Sequence, residues 1–147
     1  MSLFLQLVLG GVMIGLTVMI HAVSLDFVIR HAGRTETFIR RLKWKFWQPL
    51  MAGIIVVAVF LVHILHIWLW TLLYLALDCP PLSGFSDALY FSTITYTTLG
   101  YGDIILDPAF RMLSGIEATN GFLLFGWTTA FIFEVISQLY RREAESL

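Results

Sequence analysis

Two long stretches of the sequence contain no Asp, Glu, Lys or Arg. The first covers residues 1–25 and the second covers residues 46–77. A helix needs about 20 consecutive apolar residues to cross the hydrocarbon core of a bilayer, so both stretches are long enough. A third apolar stretch, residues 108–137, is of similar length. The sequence therefore predicts an all-α membrane protein with three transmembrane helices per chain.

The composition agrees with an integral membrane protein. Hydrophobic residues make up 59% of the chain and charged residues 13%, whereas a soluble domain averages about 25% charged residues. The formal net charge of −1 does not indicate a nucleic-acid partner, so the expected surroundings are a lipid bilayer. A cleaved signal peptide, the alternative for the first stretch, would have a basic start and a shorter apolar core, and we predict a transmembrane helix over residues 1–28 instead.

The charges are sorted along the chain. Six of the nine basic residues lie between positions 30 and 45, opposed there only by Glu36. Basic loops stay in the cytoplasm, which predicts an outside N-terminus and a cytoplasmic tail at residues 141–147. Residues 29–48 are predicted to form an interfacial helix on the inner leaflet, either as a plain anchor or as a lever coupled to gating. The six basic residues are Arg30, Arg34, Arg40, Arg41, Lys43 and Lys45.

A short segment between the second and third stretches carries the chemistry. In residues 98–102, Thr-Leu-Gly-Tyr-Gly, two glycines alternate with larger residues. Glycine enters the left-handed backbone region at little steric cost, and a strand that alternates hand can turn its carbonyl groups to one side. Four such strands around an axis can replace the water shell of a dehydrated cation. The preceding helix, residues 86–97, is too short to cross and is predicted to be re-entrant, with Ser86 or Asp87 as its cap.

Residues 86–103, from Ser-Asp-Ala-Leu-Tyr to Leu-Gly-Tyr-Gly-Asp, resemble the pore helix and filter of tetrameric potassium channels, in particular small prokaryotic members without a voltage sensor. The resemblance covers roughly residues 50–140 and implies a homotetramer with one pore loop per chain. It implies a pore domain over residues 49–140 and no cofactor beyond the permeant K⁺. In this domain the outer helix covers 49–77, the pore helix 86–97, the filter 98–102 and the inner helix 108–137. K⁺ would bind at Thr98, Leu99, Gly100 and Tyr101, and Gly102 completes the filter.

The resemblance also implies roles for residues around the filter. Tyr90 takes the place of an aromatic residue that hydrogen-bonds the aspartate after the filter, here Asp103, and Ile94 lies where some members carry a buried glutamate. Gly121 lies at the gating-hinge position, where close helix packing is an equally good interpretation. One face of the inner helix would line the cavity and gate, although an aromatic stripe is often only packing; its residues are Phe122, Phe125, Thr129 and Phe133.

Two histidines and one acid lie inside the predicted spans. His63 and His66 share a helix face, since residues three apart are neighbours. Polar groups inside a membrane usually face protein and have partners. Counting residues from the outer ends of the two helices puts His66 and Glu117 at similar depths. We therefore expect a contact between Glu117 and His66, with His63 as second choice, and a pH-dependent opening. A haem or metal site at the two histidines is the alternative interpretation.

Taken together, these features predict a passive potassium-selective channel of the cell (inner) membrane, multi-pass and not an enzyme. A weakly selective cation channel would need a loosened filter, which the intact Gly-Tyr-Gly argues against. A haem- or metal-binding membrane protein would use His63 and His66. An accessory subunit would use the pore fold only for assembly.

Overall fold

Four helices account for most of the chain. The computed structural model describes residues 1–41 and 46–144, and of the side chains in these ranges those of 34, 38, 40, 41 and 142–144 are not described. The helices are α1, Leu3–Arg41; α2, Trp47–Ala76; α3, Phe85–Tyr96; and α4, Arg111–Ala144. No strand occurs in the ranges described. Three segments are long and apolar enough to cross a membrane, Leu3–Thr37, Trp47–Ala76 and Arg111–Arg141, which confirms the predicted fold class.

The first helix is longer than expected. We predicted a break near residue 28 and a separate interfacial helix over 29–48, but α1 continues without interruption to Arg41. Arg30 forms an ion pair with Asp26 one turn earlier, at 2.6 Å, so a charged side chain is accommodated within the continuing helix. Lys43 and Lys45 lie outside the described residues, as does the part of the predicted tail after residue 144.

The helices pack around two apolar clusters. α2 contacts α1, α3 and α4, while α1 and α3 each also contact α4. One cluster lies behind the filter and includes Trp70, Tyr74 and Tyr96, all fully buried. The other joins α1, α2 and α4 farther from the filter and includes Met51 and Val59. The pore helix α3 is thus held between α2 and α4.

Buried polar contacts tie α1 to α4. Near the start of α1, the side-chain oxygen of Gln6 accepts a hydrogen bond from the Met112 amide at 3.0 Å. Deeper in the helix pair, the Asn120 amide nitrogen donates to the Thr17 hydroxyl at 2.8 Å. Hydrogen bonds between membrane helices contribute about 0.6 kcal/mol on average. Because these side chains are buried, the N-terminal helix is an integral part of the protomer.

The first residue and the N-cap of the pore helix differ from those we expected. The helix begins at Phe85, and neither Ser86 nor Asp87 is its N-cap, since Gly84 holds that position without a side-chain cap. Asp87 instead accepts hydrogen bonds from the backbone amide and the hydroxyl of Ser83, which lowers the pKa of its carboxyl. In the same loop, Cys79 is a free, buried thiol, and burial followed by the charge of Asp78 raises its pKa to about 11.

Candidate pore and filter

The backbone alternates hand along the predicted filter. φ is +60° at Thr98, +46° at Gly100 and +75° at Gly102, so every second residue is left-handed. A left-handed threonine is uncommon, because its Cβ crowds the backbone. This alternation is the conformation that the glycine spacing predicted. It can bring successive carbonyl groups to one side of the strand, whereas a strand with all φ negative points them to alternating sides.

The end of the pore helix holds the filter in place. The backbone amides of Leu99 and Gly100 both donate to the carbonyl oxygen of Ile94, at 2.9 and 3.0 Å. The Thr98 amide donates to the carbonyl of Thr95 at 2.9 Å. These donors are therefore turned back toward α3 and are not available at the opposite side of the strand. Residues 98–102 are exposed in the protomer, with Tyr101 68% exposed.

The predicted hydrogen bond after the filter is present. The Tyr90 hydroxyl donates to Oδ2 of Asp103 at 2.6 Å. This bond lowers the pKa of the Asp103 carboxyl and raises the pKa of the Tyr90 phenol, since it stabilises the carboxylate and the protonated phenol. It joins the first half of the pore helix to the outer end of the filter.

Gly121 packs against the last residue of the pore helix. A Cβ added to Gly121 would lie 2.0 Å from the carbonyl oxygen of Tyr96 and 2.9 Å from its carbonyl carbon. Helix α4 runs through this position without interruption. The two interpretations left open for Gly121 were a hinge and close packing, and the structure shows the close packing.

The expected cavity face of the inner helix is divided. Phe122 and Phe133 are 69% and 72% exposed in the protomer, and Thr129 is exposed as well. Phe125 points instead into the protomer, where its ring stacks on His63 with centroids 4.3 Å apart. Its assignment to the cavity face is wrong, because residue 125 shares the packed face of α4 with the buried residues Gly121 and Thr128.

The expected contact between Glu117 and His66 is also wrong. The fully buried Glu117 carboxyl accepts from the Tyr74 hydroxyl at 2.6 Å, and its second oxygen lies 2.5 Å from the Ser92 hydroxyl. Tyr74 is two helical turns from His66 toward the loop. The residue count failed because it assumed that α2 and α4 end at the same level. Glu117 therefore joins the outer helix, the pore helix and the inner helix behind the filter.

His63 and His66 belong to a different buried cluster. Both rings contact the Tyr96 hydroxyl through Nδ1, at 3.0 and 3.1 Å, and Nε2 of His63 contacts the Thr128 hydroxyl at 2.8 Å. The cluster includes His21 of α1, which the sequence analysis overlooked. A histidine in an otherwise uncharged span was the available signal. In the part of the chain that the structure describes, no group of three or more His, Cys, Asp or Glu residues is arranged to hold a metal ion.

Comparison with known families identifies an ion channel family. The sequence model of a family described as "Ion channel" matches residues 50–138, more than half of the chain. The matched region starts in the first turn of α2 and ends within α4, so it contains α3, residues 98–102 and most of α4. Helix α1 lies before it. Comparison of the chain with curated proteins and with solved structures gives no match.

Proposed function

Because this chain belongs to the ion channel family, we propose that it is a potassium-selective channel that conducts K⁺ passively. The observation that carries the proposal is the left-handed backbone at Thr98, Gly100 and Gly102. This strand follows directly on a short helix enclosed between two membrane-length helices. Such a strand suits the replacement of the hydration shell of K⁺ by carbonyl oxygens.

The proposed pore requires four chains. One protomer supplies one filter strand, and its filter residues are exposed on a face that no other described element covers. Non-helical backbone at membrane depth is tolerated only where it is enclosed by protein or lines water. A homotetramer with fourfold symmetry meets this requirement. K⁺ would be held by the carbonyl groups of residues 98–101, and the Thr98 hydroxyl would add a ring at the inner end.

The helix directions support cation conduction. α3 is a helix of 12 residues that ends at Tyr96, next to the filter. The C-terminal end of a helix carries a partial negative charge, so four such ends would favour a cation at the inner side of the filter. The exposed residues Phe122, Thr129 and Phe133 would line the cavity below it. The basic residues between positions 30 and 45, four of them in the last part of α1, support a cytoplasmic C-terminus and an external N-terminus in the cell (inner) membrane.

Flux into liposomes that contain only this protein tests the proposal. We expect a K⁺ gradient to drive flux and a Na⁺ gradient of equal size not to do so. Equal flux of both ions would replace the proposal with a weakly selective cation channel. No flux of either ion at any pH, from protein shown to be inserted and tetrameric, would favour an accessory subunit.

A further inference from the structure

A second polar centre lies behind the pore, outside the filter. It is formed by His21 of α1 and by His63 and His66 of α2, all buried. The ring centroid of His21 lies 5.4 Å from that of His63 and 5.4 Å from that of His66. Two hydroxyl groups complete the centre, those of Tyr96 at the end of α3 and Thr128 in α4. All four helices therefore meet at this site.

The five side chains form one hydrogen-bonded chain. The Tyr96 hydroxyl lies 3.1 Å from Nδ1 of His66 and 3.0 Å from Nδ1 of His63. The Thr128 hydroxyl lies 2.8 Å from Nε2 of His63 and 3.2 Å from Nε2 of His21. The order is thus His66, Tyr96, His63, Thr128, His21. The two terminal atoms, Nε2 of His66 and Nδ1 of His21, are buried without a partner among the described residues.

Counting hydrogen-bond donors shows whether these five side chains can bind a proton. A neutral imidazole has one donor and one acceptor nitrogen, and a hydroxyl group donates one hydrogen bond and accepts others. When all three rings are neutral, the four hydrogen bonds all run from donor to acceptor in the same direction through the five side chains. If His63 gains a proton, both of its nitrogens donate, and each hydroxyl then donates onward to an outer ring. All four hydrogen bonds are kept, so the network can accept one proton at its centre.

The position of this centre links it to ion conduction. Tyr96 is the last residue of the pore helix, and the negative end of that helix favours a nearby cation. The His63 ring centroid lies 6.0 Å from that of Tyr96. An imidazolium here would therefore oppose the field that favours K⁺ at the inner end of the filter. Two positive charges near one helix end repel each other strongly where the dielectric constant is low.

Among the described residues, the surrounding titratable groups leave this charge without a carboxylate partner. From α4, the buried acid is Glu117, whose oxygens are already held by Tyr74 of α2 and Ser92 of α3. From α3, the centre faces the Tyr96 phenol. The first acid after His21 in α1 is Asp26, which is exposed and paired with Arg30. The cation that competes for the pore helix end is therefore the permeant ion.

We propose that His21, His63 and His66, joined through Tyr96 and Thr128, bind one proton per subunit, and that this proton reduces K⁺ conduction by opposing the field of the pore helix. The second part rests on the proposed function, whereas the proton site itself does not. Linkage makes the effect reciprocal. If the bound proton lowers the affinity of the filter for K⁺, then bound K⁺ must lower the affinity of the cluster for the proton by the same factor.

The proton site is tested by nitrogen NMR of the full-length protein in liposomes, labelled only in histidine. The chain has four histidines, so four pairs of ring-nitrogen signals are assigned by single His→Gln variants. We expect one imidazolium per subunit from the cluster to form as the pH is lowered from neutral over the range in which the protein stays folded. Replacing K⁺ by choline should raise the proton affinity about fivefold or more. The site is disproved if the cluster stays neutral throughout, or if each of its three rings gains a proton independently.

The effect on conduction is tested by K⁺ flux across the same pH range. We expect the flux of the wild type to fall on acidification, and to become nearly independent of pH in His63→Gln. Tyr96→Phe removes the hydroxyl between two rings and should weaken the pH response, while one cluster imidazolium still forms. His31→Gln, at the fourth histidine, is the matched control and should keep the full response.

The results separate the two proposals. A pH response that survives in both His63→Gln and Tyr96→Phe would overturn the coupling to conduction. A proton affinity that is the same in K⁺ and in choline would overturn it as well. One cluster imidazolium without K⁺ flux at any pH would uphold the proton site and contradict the proposed channel function.

Discussion

Gly121 of the inner helix lies directly against the carbonyl group that ends the pore helix, at Tyr96. A Cβ at this glycine would be 2.0 Å from the carbonyl oxygen, which is backbone and cannot move aside as a flexible side chain can. The contact fixes the distance between α4 and the last turn of α3. Because the filter starts two residues after Tyr96, this contact also sets the height of the filter relative to the inner helix.

We therefore predict that Gly121→Ala destabilises the protein by about 1–3 kcal/mol, the usual cost of overpacking, and disturbs the filter. Gly53→Ala in α2 is the matched control, because no atom of the described residues lies within 4 Å of an added Cβ there. It should be neutral or slightly stabilising because alanine favours helices. Thermal unfolding in detergent measures both. If Gly121 served only as a hinge, Gly121→Ala would be as stable as Gly53→Ala and would differ only in channel opening.

The filter glycines have a different constraint. At Gly100, φ is +46° and nothing lies within 4 Å of an added Cβ, so the cost of a side chain is conformational rather than steric. A left-handed backbone costs other residues about 1–2 kcal/mol, and four subunits would each bear it. We predict that Gly100→Ala folds and assembles but loses the preference for K⁺ over Na⁺ in liposome flux.

Gly84→Ala provides the control for this change. Its φ of 170° is extended backbone, and its added Cβ also meets nothing within 4 Å. The selectivity of this variant should match the wild type. Retained selectivity in Gly100→Ala would show that the left-handed backbone at this residue is not required.

The hydrogen bond from Tyr90 to Asp103 gives a pH-dependent prediction. It lowers the pKa of Asp103, so the bond to the carboxylate is present above the ordinary aspartate pKa of about 3.9. The bond to the carboxylate is lost as the pH falls through the lowered pKa of Asp103. Tyr90→Phe should raise the pKa of Asp103, which carbon NMR of the carboxyl group measures. Tyr140→Phe, at an exposed tyrosine at the far end of α4, should leave it unchanged, and an unchanged pKa in Tyr90→Phe would contradict the role of this bond.

The sequence was sufficient for the features that depend on local chain geometry. The three spans follow from residue type and length, and the alternating backbone of the filter follows from the spacing of Gly100 and Gly102. The contact between Tyr90 and Asp103 followed from the resemblance to a known pore. In each case the residues concerned are close in sequence or belong to the segment that resembles a known pore.

Contacts between separate helices were harder to predict. Counting residues gives the depth of a side chain only if the helix ends are level, and this error paired Glu117 with His66 instead of Tyr74. The count also says nothing about rotation around the helix axis, which is why Phe125 was assigned to the cavity. Helix α1 had no place in the resemblance, so His21 was missed although it completes the histidine cluster.

The hydrogen bonds around Glu117 indicate which form of its carboxyl group fits the site. The Ser92 hydroxyl lies 2.5 Å from Oε1 of Glu117 and 3.0 Å from the carbonyl oxygen of Ile67. It has only one proton to donate. If Glu117 is protonated, it donates to Ser92, Ser92 donates to Ile67, and Tyr74 donates to the other carboxyl oxygen. Each of these oxygen–oxygen contacts then carries a proton. With an ionised carboxylate, Ser92 would donate to Glu117 and its contact with the Ile67 oxygen would carry no proton, although that oxygen would still accept from the Thr71 hydroxyl.

Glu117→Gln imitates the protonated form, since its amide nitrogen can donate to Ser92 and its oxygen can accept from Tyr74. We predict that this variant unfolds within about 1 kcal/mol of the wild type, because the hydrogen bonds are kept. Glu117→Ala leaves the Tyr74 hydroxyl without its partner and opens a cavity, and should cost about 2–5 kcal/mol, whereas Ser92 can still donate to the carbonyl oxygen of Ile67. Thermal unfolding of both variants at neutral pH measures the difference. If Glu117→Gln were as unstable as Glu117→Ala, the buried carboxyl group would have to be ionised.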